Sequence, residues 1–308
     1  MSGTITGSYC SSNSTHYYPA AQVIPKSIYI FACVVSVVLS VSSTLGNALI
    51  LLALRKCQSL HSPSKALLCS LALTDLFVGL IVLPLFIAYY LMIILEIPSY
   101  FCVIAITYAR TATFIAGVSL ETITTIAIDR FLAFHLRMRY RELVNFKRAV
   151  TTLVIEWIVA AVWSGMWFWS APINMWTGVV GLIICYATTS LCYYSISRGV
   201  RRHVAQIRRQ VNSSESSDFN VAQYKKTVNN MLWIYGLLLV CYMPHLTTVL
   251  IILVTGLSNS SRFAFHLSGI AAFANSSLNP ILYCWRMKEL KEIVIANIKC
   301  ISKLCKIR

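Results

Sequence analysis

Apolar residues in this chain run in long, nearly unbroken stretches, with no sign of strand-like alternation. Segments at about 27–54, 64–92, 102–132, 149–171, 177–200, 227–254 and 264–285 each hold 20 or more residues with few ionisable groups. At about 1.5 Å per residue, each crosses roughly 30 Å of hydrocarbon as a helix. The pattern predicts an all-α membrane protein, a seven-transmembrane helix bundle. A different periodicity follows the seventh stretch. In Met287–Lys299, Leu290, Ile293, Val294 and Ile298 recur at helical spacing against a basic face. That predicts a short amphipathic helix on the inner membrane surface. The chain thus divides into an N-terminal segment (1–26), a seven-span domain (27–285) and a tail with the amphipathic helix (286–308). Asn212–Asp218, between spans five and six, is polar, acidic and aperiodic, and reads as a loop. No early apolar stretch precedes the first span, which is expected to direct its own insertion.

Charge fixes the orientation. Of 26 Lys and Arg residues, only Lys26, Arg110 and Arg262 fall towards one side of the alternating topology, and the rest towards the other. Basic loops stay in the cytoplasm, so the N-terminus is expected outside, in the plasma membrane. Two glycosylation sequons, at Asn13 and Asn259, then fall on the outer side. A formal charge of +16 would suggest nucleic acid in a soluble protein, but 57% apolar residues and a mean hydropathy of +0.70 exclude that setting. The basic residues answer to membrane lipids and topology, and no nucleic-acid partner is expected. Eleven cysteines form no CxxC pair and mostly sit in apolar runs, which argues against a metal or redox centre. Cys300 and Cys305 follow the amphipathic segment and are palmitoylation candidates, free cytoplasmic thiols being the alternative.

Single residues within the spans carry the chemistry. Charged side chains in a bilayer are costly and normally face the bundle interior, which marks Asp75 and Arg130. Ser119 precedes Arg130 by 11 residues, a rotation of about 20°, and so shares its face. Asn275 and Asn279, four apart, also share one. Span by span the chain reads Gly46-Asn47, Leu71-Ala-Leu-Thr-Asp75, Asp129-Arg130-Phe131, Trp157, Cys241-Tyr-Met-Pro244 and Asn279-Pro280-Ile-Leu-Tyr283. This ordered set resembles the rhodopsin-like family of G-protein-coupled receptors.

The resemblance implies a receptor, not an enzyme, that binds an extracellular ligand and activates a heterotrimeric G protein. It implies that Arg130 pairs with Asp129 at rest and meets the G protein when span six swings about Pro244. Tyr193, Tyr242, Asn279, Pro280 and Tyr283 match the switch residues. The residues matching Asp75, Ser119, Asn275 and Asn279 hold a sodium ion in the family; a hydrogen-bonded network without an ion is the alternative. Ala112, Thr113, Ala116, Tyr242, His245, Val249 and Phe273 match the ligand pocket, an apolar and aromatic surface suited to a small uncharged molecule, a lipid or the aromatic tip of a peptide.

Departures narrow the picture. Phe273 stands where opsins carry the retinal lysine, so no retinal is bound, and no covalent cofactor is expected. Ala112 stands where amine receptors carry an aspartate. Tyr242 replaces the usual tryptophan, Phe131 the usual tyrosine, and Cys185 the usual proline of span five. The loop around Pro172–Thr177 is short and lacks the usual cysteine, as in melanocortin-type receptors, whose acidic ligand cluster is absent. Cys102 then has Cys10 as its candidate disulfide partner, a buried free thiol being the alternative. Tyr224 takes the place of the acidic residue that often anchors the arginine from span six. Glu121 and Glu156 read as hydrogen-bonding groups at helix contacts. Arg110 is expected to reach lipid headgroups or an anionic ligand. A seven-helix channel or transporter built around Asp75 is the alternative from another class, though no internal repeat supports it.

Overall fold

The computed structural model describes residues 25–306 except 59, 98, 137–138, 167–168, 211–235 and 257. Seven long helices form the bundle: α1 (Lys26–Lys56), α2 (Ser62–Ile94), α3 (Phe101–Leu136), α4 (Phe146–Met166), α5 (Ala171–Gln210), α6 (Gly236–Thr255 as described) and α7 (Asn259–Arg286). An eighth, α8 (Lys288–Lys306), follows after a single non-helical residue, Met287. The first six are long and apolar enough to cross a membrane. The seventh is less apolar because Asn275, Ser276, Ser277 and Asn279 line it, and all four are buried against the other helices. Apolar side chains such as Val38, Val162 and Leu191 instead face outward, the arrangement of a protein whose solvent is lipid.

Breakers shape the helices locally. Pro63 opens α2 and Pro84 falls in the first turn after a π-turn at Val78–Val82. Proline lacks the N–H that an α-helix would use there, and the wider turn absorbs the mismatch. A capping box at Ser258 and Ser261 starts α7. The sequon Asn259-Ser260-Ser261 therefore sits in that first turn.

Small residues set the closest approaches. A Cβ on Gly79 would stand 2.5 Å from Thr44 Oγ1 and 2.8 Å from Thr44 N, so only glycine lets α1 and α2 pack here. Ser40 Oγ uses that proximity to donate to Gly79 O at 2.7 Å. Gly46 similarly faces Pro280 of α7.

Two expectations change. Residues 172–176, expected as loop, are helical, because α5 begins at Ala171 with Pro172 in its first turn, and the described non-helical residues before it are Trp169 and Ser170. Asn174 is buried there and donates to Trp163 O at 2.6 Å, tying α5 to α4 without a cysteine. The amphipathic helix runs to Lys306, beyond the expected Lys299. Leu290 is fully buried against the C-terminal end of α1 and the N-terminal half of α2, and Lys56 Nζ donates to Asn297 Oδ1 at 2.8 Å.

Candidate functional site

Midway through the bundle lies a buried polar core. Asp75 of α2 is fully buried and accepts from Asn279 Nδ2 of α7 at 2.7 Å. Asn47 of α1 donates from Nδ2 to Ser43 O at 2.9 Å and to Ser276 O at 3.0 Å, and Ser43 Oγ donates to Asp75 O at 2.8 Å. Three helices are thus tied together by side chains that would otherwise be costly to bury. Asp75 Oδ1, Ser119 Oγ and Asn275 Nδ2 close no full hydrogen bond among the described residues, although Ser276 stands beside Asp75, and each residue is at least 96% buried. Tyr242 of α6 lies beside Ser119 and Asn275. The structure therefore brings Asp75, Ser119, Asn275, Asn279 and Tyr242 to one place. An anionic oxygen and a hydroxyl are the donor types a hard cation takes.

The C-terminal end of α3 carries the second cluster. Arg130 Nη2 lies 3.4 Å from Asp129 Oδ2. Asp129, 4% exposed, also accepts from Ser64 Oγ at 3.0 Å and from the Tyr140 hydroxyl at 2.6 Å. Tyr140 belongs to a single helical turn, Tyr140–Leu143, between α3 and α4, and its ring packs on His61 at a centroid distance of 5.6 Å. Burial and the hydrogen bond to Asp129 both hold its phenol above its ordinary pKa, so it stays a donor. Ser64 and Tyr140 escaped sequence reasoning. They lie 65 and 11 residues from Asp129, and no periodicity links a loop tyrosine to a helix carboxylate.

Tyr193 and Tyr283 are buried in separate apolar clusters, against α3 and against α1, α2 and α8. Pro244 lies inside α6 and Pro280 inside α7.

The expected ligand-pocket residues fall into two packed groups. Ala112 and Phe273 join Val82, Leu83 and Ile115 between α2, α3 and α7, with Phe273 6.0 Å from the Phe86 ring. Tyr242 and Val249 join Tyr186 and Leu246 between α5 and α6. His245 stands apart, its Nδ1 3.2 Å from Ser268 Oγ and its ring 4.9 Å from Phe265. Thr113 and Ala116 are half-buried on α3.

Other residues have settled places. Glu156 accepts from the hydroxyls of Thr122 and Thr125, a helix contact between α3 and α4. Arg110 donates from Nη1 to Ser164 O at 3.0 Å, while Ser164 Oγ returns a bond to Arg110 O. A cation there satisfies a carbonyl at the C-terminal end of α4. Cys102 is disulfide-bonded. Cys10, Asn13 and Tyr224 lie outside the described residues. Cys300 is exposed on α8, which also carries Cys305.

A sequence profile described as "7 transmembrane receptor (rhodopsin family)" matches residues 46–172 and 165–283. Among curated relatives, the histamine H2 receptor of Canis lupus familiaris is 25% identical over 284 residues, 84% of this chain and 76% of that protein. The adenosine receptor A3 of Ovis aries is 23% identical over 295 residues, covering 86% and 88%. The cannabinoid receptor 1 of Xenopus laevis is 21% identical over 306 residues, covering 88% and 63%.

Proposed function

Because the chain belongs to the rhodopsin-like family of seven-transmembrane receptors, we propose that it works through the two polar clusters of its bundle, with Arg130 as the residue that meets the G protein. The protein is a multi-pass membrane receptor that binds an extracellular ligand and activates heterotrimeric G proteins; it is not an enzyme. The channel or transporter reading finds no support in that family. The observation that carries the proposal is the arrangement around Asp129, whose carboxylate holds Arg130 at 3.4 Å while Ser64 and Tyr140 hold the carboxylate. A charge fixed by neutral donors is a latch: it keeps the guanidinium in place until the inner helix ends part.

The Asp75 core couples the outside to that latch. Asp75, Ser119, Asn275 and Asn279 would hold a sodium ion with the helices closed, a use supported by Asp75 Oδ1 and Ser119 Oγ, which close no full hydrogen bond among the described residues. Any movement of α6 or α7 changes the distance between Tyr242 or Asn279 and Asp75, so ion binding favours the closed form only through its differential affinity. Pro244 gives α6 its hinge, because a proline leaves a backbone carbonyl unbonded within the helix.

The ligand enters from outside, where the N-terminus and both sequons stand, in the plasma membrane. Aromatic walls from Phe273 and Tyr242 with the neutral pair His245 and Ser268 suit a small uncharged molecule, a lipid or an aromatic peptide tip; the aminergic relatives' names carry over poorly, since Ala112 offers a cation no counter-charge. α8 lies on the inner leaflet, with Cys300 and Cys305 available for palmitate. The test is a ligand library screened for G-protein dissociation in cells expressing the wild type and Arg130→Ala. Ligand responses present in the former and absent in the latter at equal surface density support the reading; responses equal in both overturn it.

A further inference from the structure

At the end of the bundle where α1 begins, a crevice of about 20 Å3 lies between α1, α2 and α7. Aromatic packing builds its floor. Tyr90 of α2 meets Tyr29 of α1 edge-on at a centroid distance of 5.2 Å and His266 of α7 at 5.3 Å, and Ile270 completes the wall. Tyr90 is 1% exposed, yet its hydroxyl has no hydrogen-bond partner among the described residues. A buried donor left dry is unfavourable and calls for an acceptor. The way in lies on the outward surface between α1 and α7, because Phe31 and Leu267 also line the crevice and are 60% and 48% exposed. In this bundle such apolar surface faces lipid. Among the described residues that line the crevice there is no Asp, Glu, Lys or Arg, and Lys26 and Glu96, at the same end of the bundle, are paired with each other at 2.8 Å.

These features select the occupant. A space of this size takes one small polar group, and walls made of ring faces and alkyl groups give a water too few partners. A charged head would find no counter-charge there. We propose that the crevice is an accessory site for a neutral fatty-acyl lipid that enters sideways from the bilayer, its ester carbonyl accepting from the Tyr90 hydroxyl while its chain lies along Phe31 and Leu267. Occupancy bears on the ligand pocket through packed rings, since Tyr90 stands 4.3 Å from Phe86 and Phe86 6.0 Å from Phe273. The inference goes beyond the reading of Arg130 as the coupling residue and does not depend on it.

The test uses the full-length receptor in phosphatidylcholine nanodiscs doped with a monoacylglycerol whose chain carries a photoreactive diazirine close to the ester. After illumination, mass spectrometry locates the labelled peptides, a readout that needs neither G protein nor agonist. Saturable labelling is expected on α1 and α7 around Phe31 and Leu267. Tyr90→Phe keeps the ring and its packing and removes only the hydroxyl; it should raise the half-saturating fraction of monoacylglycerol roughly five- to tenfold. The matching alkyl glycerol ether, which lacks the carbonyl, and the matching fatty-acid anion should compete with the label worse than the unlabelled monoacylglycerol by a similar factor. Labelling that does not saturate, or that spreads evenly over the lipid-facing helices, leaves the crevice to water and overturns the proposal. Equal half-saturation in Tyr90→Phe and the wild type overturns it as well, and so does competition by cholesterol or by the fatty-acid anion that matches the monoacylglycerol.

Discussion

The Tyr140 hydroxyl donates to Asp129 Oδ1 at 2.6 Å, joining a loop turn to the carboxylate that holds Arg130. The bond fixes which way Asp129 points. Without it, Oδ1 turns to water and the carboxylate leaves the line to Arg130. Tyr140→Phe is therefore expected to raise exchange without ligand, by about fivefold for the roughly 1 kcal/mol that such a bond contributes. Basal exchange that stays level or falls at equal surface density would show that the latch does not depend on the loop. The pH sign follows from the raised Tyr140 pKa. The protonated phenol is the form favoured by folding, so its contribution is complete below the ordinary tyrosine pKa of 10.0 and is lost only as pH rises through the still higher folded value. Latch behaviour attributable to Tyr140 should be flat from pH 6 to about 9.

Asp75 is the anion of the buried core, and Asp75→Asn removes its charge while keeping a side chain of similar size. Sodium dependence of ligand affinity, measured against a larger control cation, should vanish in the variant. A wild type with no sodium dependence would instead favour the hydrogen-bonded network alone.

Gly79 permits contact between α1 and α2, with a Cβ there meeting Thr44 Oγ1 and N and Ser40 O. The neighbours include backbone, which cannot step aside. Gly79→Ala should destabilise the bundle by about 1–3 kcal/mol, lowering the thermal stability of purified receptor. Gly165, which has open space around its Cβ position, is the control: Gly165→Ala should leave stability near the wild type.

The resemblance of the sequence to the family implies that Tyr224 takes the place of an acid that pairs with the α3 arginine, and activity without ligand is the expected outcome. Tyr224→Glu should lower that basal signal. A wild type silent without ligand, or a variant with unchanged basal output, would assign the resting state to packing.

The sequence by itself determined the number of spans and the identity of the groups too costly to bury idly. Each of these follows from hydropathy, charge or composition summed along the chain, and the bilayer reads those sums directly. Asp75 and Asn279 were legible for the same reason, since a carboxylate in an apolar run demands partners, and the helical repeat puts Asn275 and Asn279 on one face. What the sequence left open depends on which helix ends meet. Ser64 and Tyr140 converge on Asp129 from a helix start and a loop turn. Arg110 meets the Ser164 carbonyl near the end of α4. The helix assigned to loop at 172–176 forms because Pro172 suits a first turn and Asn174 closes on Trp163. Such meetings are a matter of packing, because residues far apart along the chain carry no mutual signal in one dimension and become neighbours only when their helices are brought side by side.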